Sequence, residues 1–416
     1  MNTQTLINRE KPMIMHVDLN SCFATIEQQA NPLLRGKPVV VAAYSTPNAF
    51  ILAPSIEAKQ IGIKMGMNIR DARMVYPNVI VRTPDPPKYR DVHQRFMRIF
   101  QSYSPEVTAR SIDEAVIDFR PVANLHPDLI AIGREIKLRM KLEIGEWIRC
   151  SIGIGTNMFL AKLAASLHKP DGLTYVDHTN LLDTYRSAEL MDFCGINVRY
   201  KARLNAHGIM TPLDFFYATG EKLEKQIFRS VLGRYWFKKM RGFEADPKDF
   251  PTKSIGHQYA LKIPTDDPQA LNRLIMKLCE KMGRRLRKKG FIAHGIHMWF
   301  SYRDRTSWHR GRLMSQNLYT TLELYRHAQI IFQSQPEIKA ITHMGVSCYQ
   351  LTEHNKMQLS LFEEDTVKAK KVADAADQLN DKYGEFTVVP GTMINMEREI
   401  IDRISFGGIR DMELLM

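Results

Sequence analysis

Two acids stand side by side in Ser111-Ile112-Asp113-Glu114-Ala115-Val116-Ile117-Asp118-Phe119, and an apolar run follows at once. A third acid, Asp18, lies near the end of another apolar run, Met13 to Leu19. Strict strand alternation would send Asp113 and Glu114 to opposite faces, so both can serve one place only from a turn or a distorted strand end. Two short strands, around Glu106 to Arg110 and Ala115 to Phe119, allow such a hairpin. Three carboxylates at the ends of adjacent strands would repel one another unless a cation sat among them. Oxygen donors select hard ions, Mg2+ or Mn2+. Two such ions, about 3.5–4 Å apart, can activate an attacking oxygen and stabilise the leaving oxygen of a phosphoryl transfer. On spacing alone an Asp-Glu pair is more often a solvated turn, and Asp118 reads as such a surface acid.

The elements that must position these acids are readable in outline. Met13 to Leu19 reads as a buried strand, Phe23 to Gln29 as a helix start, and Val39-Val40-Val41-Ala42-Ala43 as a second strand. Ile56 to Ile63 reads as helix, broken by Gly62 and Gly66, and Pro84, Pro86 and Pro87 mark a boundary before a helix over Tyr89 to Tyr103. Leu129 to Ile144 carries apolar residues near a 3.6-residue period, Cys150 to Ile154 is a strand, and Thr156 and Asn157 are caps for a helix over Met158 to Leu167. This mixed block predicts an antiparallel or mixed sheet with helices on it, an α+β arrangement. Leu181 to Gly242 reads as all-helical and Phe243 to Lys253 as a linker. Strand, helix and strand follow, with Leu271, Leu274, Ile275, Leu278, Met282 and Leu286 on one helical stripe.

With 416 residues the chain is too long for one ordinary core, and roughly two to four domains are expected. No apolar run approaches the ~20 residues needed to span a bilayer, and no secretory leader is expected from the N-terminal segment. Five scattered cysteines without a CxxC pair indicate neither a disulfide framework nor a zinc site, so a reducing cytoplasm fits. The net charge of +13 points to a polyanionic partner, and its distribution sharpens this: Lys281 to Arg312 holds ten basic residues and one acid, Asp304.

Taken together, three segments resemble the palm motifs of the Y-family DNA polymerases, the bacterial translesion enzymes of the DinB and UmuC type. They are Val17 to Glu27 (VDLNSCFATIE), Ser111 to Ala115 (SIDEA) and Ser151 to Gly172 (SIGIGTNMFLAKLAASLHKPDG). The resemblance implies an α+β multidomain right-hand polymerase. It implies a palm over 1–25 and 85–177, small fingers over 26–84, and a helical thumb with a helix-hairpin-helix over 178–243. A linker over 244–253, an α/β little finger over 254–356, and a clamp-binding motif with a C-terminal extension over 357–416 complete it. Asp18, Asp113 and Glu114 become metal ligands for two Mg2+ ions, or Mn2+, with the Leu19 carbonyl beside them. Glu114 would sit nearest the primer 3′-hydroxyl. Phe23 matches the steric-gate position, where a ring collides with a 2′-hydroxyl; otherwise it is an ordinary core residue. Lys169 matches the lysine that meets the incoming dNTP; otherwise it is a helix-end charge.

The fingers depart from the commoner Ser-Tyr-Glu-Ala-Arg pattern. Ser55-Ile56-Glu57-Ala58-Lys59 lacks the hydroxyl, and Lys59 keeps a charge without the bidentate fork. This is closer to the UmuC branch and raises an accessory regulatory subunit as a partner. Cys194 to Ile209 resembles the hairpin that offers backbone N–H groups to a DNA phosphate, with Gly195 and Gly208, and with Asn197 in a glycine position as a residue tolerant of left-handed backbone. Arg284, Arg285, Arg287, Lys288 and Lys289 are expected to track phosphates of primer-template DNA. Gln358, Leu359, Leu361 and Phe362 resemble the bacterial sliding-clamp peptide. The function implied is error-prone translesion synthesis. The alternatives are a clamp-associated DNA-binding scaffold derived from a polymerase, with little or no catalysis without an accessory subunit, and another two-metal enzyme on a palm-like sheet.

Overall fold

Strand β1 (Ile14–Leu19) is buried at all six positions, which requires cover on both faces. Its odd residues, Met15, Val17 and Leu19, enter one core, whereas Ile14 packs on the other face with Val116 and Ala161. His16 and Asp18 share the face of Ile14 by the two-residue period. In this computed structural model the described residues are 6–245, 252–337, 339–353, 364–396 and 399–400. They fall into two compact units, one within residues 6–245 and the other from 252 onward.

In the first unit, α1 (Cys22–Ala30) follows β1. Strands β2 (Val39–Ala42), β3 (Ile51–Pro54) and β4 (Ile80–Arg82) make a small sheet in the order β3-β2-β4, flanked by α2 (Ile56–Gln60) and α3 (Ile69–Val75). Helix α4 (Pro86–Gln101) starts on an Asp85 cap that accepts the Lys88 N–H, with proline in its first turn. Then come β5 (Val107–Ala109), β6 (Glu114–Asp118), α5 (Leu129–Arg139), β7 (Cys150–Gly155), α6 (Met158–Leu167) and β8 (Leu173–Tyr175). The main sheet runs β5-β6-β1-β7-β8 and is antiparallel except for the β7–β8 pair. This is the mixed sheet the patterning predicts. Asn157 caps α6, as its position predicts, by accepting the Leu160 N–H at 2.8 Å. A Cβ on Gly153 would lie 2.0 Å from the Ala161 carbonyl oxygen, so α6 rests directly on the β7 backbone. Helices α7 (Leu181–Ser187), α8 (Val198–Ala206), α9 (Pro212–Tyr217) and α10 (Leu232–Lys239) close the unit around Phe193, Phe215 and Trp236.

The second unit holds β9 (Ser254–Thr265), α11 (Pro268–Lys288), β10 (Phe291–Tyr302), β11 (Ser307–Leu318), α12 (Thr321–Gln333), β12 (Ile341–Glu353) and α13 (Glu364–Tyr383). Its antiparallel sheet runs β11-β10-β12-β9. The expected α11 stripe is buried, at about 1.5–3 kcal/mol for each large apolar side chain. The pattern had foreseen only strand, helix and strand; one more strand, a helix and β12 complete the repeat. Met393, Met396 and Ile400 enter the same core.

Candidate active site

The question of how two adjacent acids serve one site has a local answer. Glu114 is the first residue of β6 and lies opposite Asp18 in the β1–β6 pair. Asp113 sits in the bend just before it, and its carbonyl accepts the Leu19 N–H at 2.9 Å. The Arg110 and Ser111 N–H groups both donate to the Glu114 carbonyl, which tightens the turn. The Ser111 hydroxyl donates to the Asp113 carboxylate.

The three carboxylates differ in surroundings. Asp18 is 9% exposed, and the Lys169 ammonium stands 2.8 Å from its carboxylate. Burial pushes its pKa up to about 6, against the pull of Lys169. Burial also raises Asp113, although the Ser111 hydroxyl favours its charged form. For Glu114 burial pulls upward too, but the Lys162 ammonium, 2.7 and 3.0 Å from its two oxygens, holds the net below the ordinary carboxylate range.

His16 lies behind Glu114, its Nε2 3.8 Å from the carboxylate and without a hydrogen-bond partner. Burial pushes this imidazole down to about 3, so it is neutral near pH 7. One ligand atom each from His16, Asp18 and Glu114 lies within 4.8 Å of the others. Asp113 stands outside that grouping and instead lines the neighbouring cavity with Asp18. The oxygen donors at these strand ends fit a hard divalent cation, and two lysine ammonium groups now balance their charge.

The cavity holds about 590 Å³, within the range of small-molecule sites. Asp18, Asp113 and Lys169 line it together with Ile56, Lys59 and Met65. Ser55 caps α2 by accepting the Ala58 N–H, which fixes the turn carrying Ile56 and Lys59. Burial, then the charge of Lys169, lowers the Lys59 pKa. Phe23 also lines the cavity, and its ring stacks on Tyr89 at 4.4 Å between centroids. The Tyr89 hydroxyl donates to Glu27 at 3.0 Å, so the ring behind Phe23 is itself held.

Other expected site residues fare unevenly. Gly195 (φ 103°) and Gly208 (φ 76°) adopt left-handed backbone. Asn197 does not: its backbone is extended, and its side chain caps α8 by accepting the Arg199 and Tyr200 N–H groups. The Arg199 and Tyr200 amides at the start of α8 are thereby bonded within the chain.

Arg287 and Arg284 require a second correction. Arg287 is buried and grips Asp377 through two nitrogens at 2.6 and 3.0 Å. Arg284 meets Asp381 at 2.9 Å and Asp377 at 3.5 Å. Both guanidinium groups therefore hold α13 rather than standing ready for phosphates. Arg285 donates to the Gly256 carbonyl at 2.9 Å, Lys288 is exposed and Lys289 is half-buried. Gln358, Leu359, Leu361 and Phe362, with residues 246–251 of the expected linker, lie outside the described residues.

Lys162 and His16 escaped the sequence reading. Lys162 had a signal: it is the one charge in the otherwise apolar helix MFLAKLAASL. A lone charge on a buried helix needs a partner, and here it is Glu114. His16 looked like any residue of a buried strand.

A family model described as impB/mucB/samB family matches residues 17–166, and that family's C-terminal domain matches 252–361. A protein named DNA polymerase IV from Pelotomaculum thermopropionicum is 31% identical over 90% of this chain and 94% of its own length. Another of that name, from Moorella thermoacetica, is 32% identical over 89% of this chain and 94% of its own. Among solved structures, a Y-family DNA polymerase chimera aligns with a TM-score of 0.71 at 24% identity, covering 82% of this chain and 99% of the chimera; at that identity it speaks for the fold alone.

Proposed function

On the premise that the chain belongs to the Y-family DNA polymerases of the DinB type, and is a DNA-directed DNA polymerase of translesion synthesis, we propose that it joins a dNTP to a primer 3′-hydroxyl by two-metal nucleotidyl transfer. The observation that carries this reading is the meeting of Asp18 and Glu114 across one strand pair, with Asp113 in the adjoining bend beside the cavity. Dependence on divalent cations goes with the family; two Mg2+ ions, replaceable by Mn2+, are our assignment. Asp18, Asp113, Glu114 and the Leu19 carbonyl would hold them. Bound there, the ions would stabilise charge on the attacking and leaving oxygens.

The chain's own groups do the rest. Lys59 and Lys169 bind the triphosphate. Phe23, backed by Tyr89, fills the space a 2′-hydroxyl would need. Glu114 positions the primer hydroxyl or takes its proton. We assign the main sheet, residues 1–25 and 85–177, to a palm and 26–84 to fingers. Residues 178–243 form the thumb, 244–253 the linker and 254–356 the little finger. Gly195 and Gly208 of the thumb, with Arg285, Lys288 and Lys289, approach primer-template DNA. The segment 357–416 supplies the sliding-clamp peptide, Gln358 to Phe362, and an extension open to a regulatory subunit. No helix among the described residues is long and apolar enough to cross a membrane, and we assign the enzyme to the cytoplasm. Copying is proposed to be error-prone. Primer extension with Mg2+ and dNTPs tests the site: it should vanish in Asp113→Ala and Glu114→Ala, and normal extension by both would reject it.

A further inference from the structure

We propose that Lys169 and Lys162 are built-in competitors of the divalent cations, and that a bound triphosphate opens the site by drawing Lys169 away from Asp18. This rests on the polymerase reading and adds an order of events to it. Lys169 stands 2.8 Å from Asp18, and Lys162 reaches Glu114 at 2.7 Å. Two of the three acids are thus already neutralised by cations that belong to the chain. A metal ion entering between Asp18 and Glu114 must displace an ammonium group from each.

The two lysines are not equivalent. Lys169 follows the end of α6 and lines the cavity, so a triphosphate there lies within its reach. Lys162 is in the middle of α6, a helix seated on the backbone of Gly153. One ammonium cannot bond fully to a carboxylate and to a phosphate at once. A lysine, a compact charge on a flexible stem, suits such an exchange better than a planar guanidinium. Metal competes with Lys169 for Asp18, and triphosphate competes with Asp18 for Lys169. By linkage, each of the two ligands then favours the other.

Triphosphates bind cations by themselves, so the decisive measurement omits nucleotide. Mn2+ binding to the full-length protein is followed by the electron paramagnetic resonance signal of free Mn2+. Lys169→Met should bind Mn2+ about tenfold more tightly than the parent, within the usual range for coupled sites, whereas Lys169→Arg should stay as weak as the parent. A simple triphosphate ligand predicts no change on losing Lys169. Unchanged or weaker binding by a folded Lys169→Met protein overturns the proposal. If that variant does not fold, Lys162→Met decides, with the same gain expected and the same failure overturning it. Asp18→Asn separates the premises: parent-like Mn2+ binding there would overturn the metal reading itself. Loss of binding in Asp18→Asn without a gain in Lys169→Met would sink only the competition.

Discussion

Two regions of this protein pair acids with cations, and they do so with different chemistry. At the cavity the partners are lysines, Lys162 on Glu114 and Lys169 on Asp18, at side chains that remain 12–39% exposed. In the second unit the acid Asp377 of α13 is met by arginines, and Arg287, 4% exposed, holds it through a fork. A lysine can release its partner at modest cost. Breaking a buried, forked pair leaves an uncompensated charge and costs about 3–5 kcal/mol. The same formal interaction is therefore exchangeable in one place and structural in the other.

The largest test of that contrast is Glu114→Gln. It should slow primer extension on the order of a thousandfold, the several kcal/mol that cation charge stabilisation is worth, while thermal melting stays near the parent value. A large fall in melting temperature would put Glu114 in the structural class instead. Arg287→Ala should do the reverse. It should cost about 3 kcal/mol of stability in urea unfolding and leave the salt dependence of DNA binding unaltered; a reduced salt slope would return Arg287 to the phosphate-binding set. Phe23→Ala tests the cavity wall, and discrimination against ribonucleotides should fall by about a hundredfold. Unchanged sugar selection would leave Phe23 a core residue only. Lys288→Ala should have the smallest effect: the slope of log affinity against log salt should drop by about 0.9, with no change in stability.

Much of the first region was legible because its signals are local. An apolar strand ending in Asp18, a turn holding Asp113 and Glu114, and Asn157 before an apolar helix can each be read within ten residues. The fold class followed from the same patterns. The second region was misread at Arg284 and Arg287 because their partners lie on α13, about ninety residues later. Periodicity tells which side of α11 is apolar, not which element will cover the other side. Asn197 was misread for a subtler reason. Its side chain can favour left-handed backbone or cap a helix, and here the four open N–H groups of α8 decided in favour of the cap. Lys162 required knowing that α6 touches β7 closely enough for its middle turn to reach β6.

The span shared with the family's C-terminal domain stops at residue 361, yet Met393, Met396 and Ile400 are packed among the apolar side chains of α11 and β9. Lys277 donates to the carbonyls of Met396 and Glu399, and the Tyr259 hydroxyl to the Glu399 carboxylate. A recombinant version trimmed to the familial boundary would therefore not be a leaner enzyme. It would present a greasy, cation-rich back surface to the solvent, and would be expected to precipitate on expression.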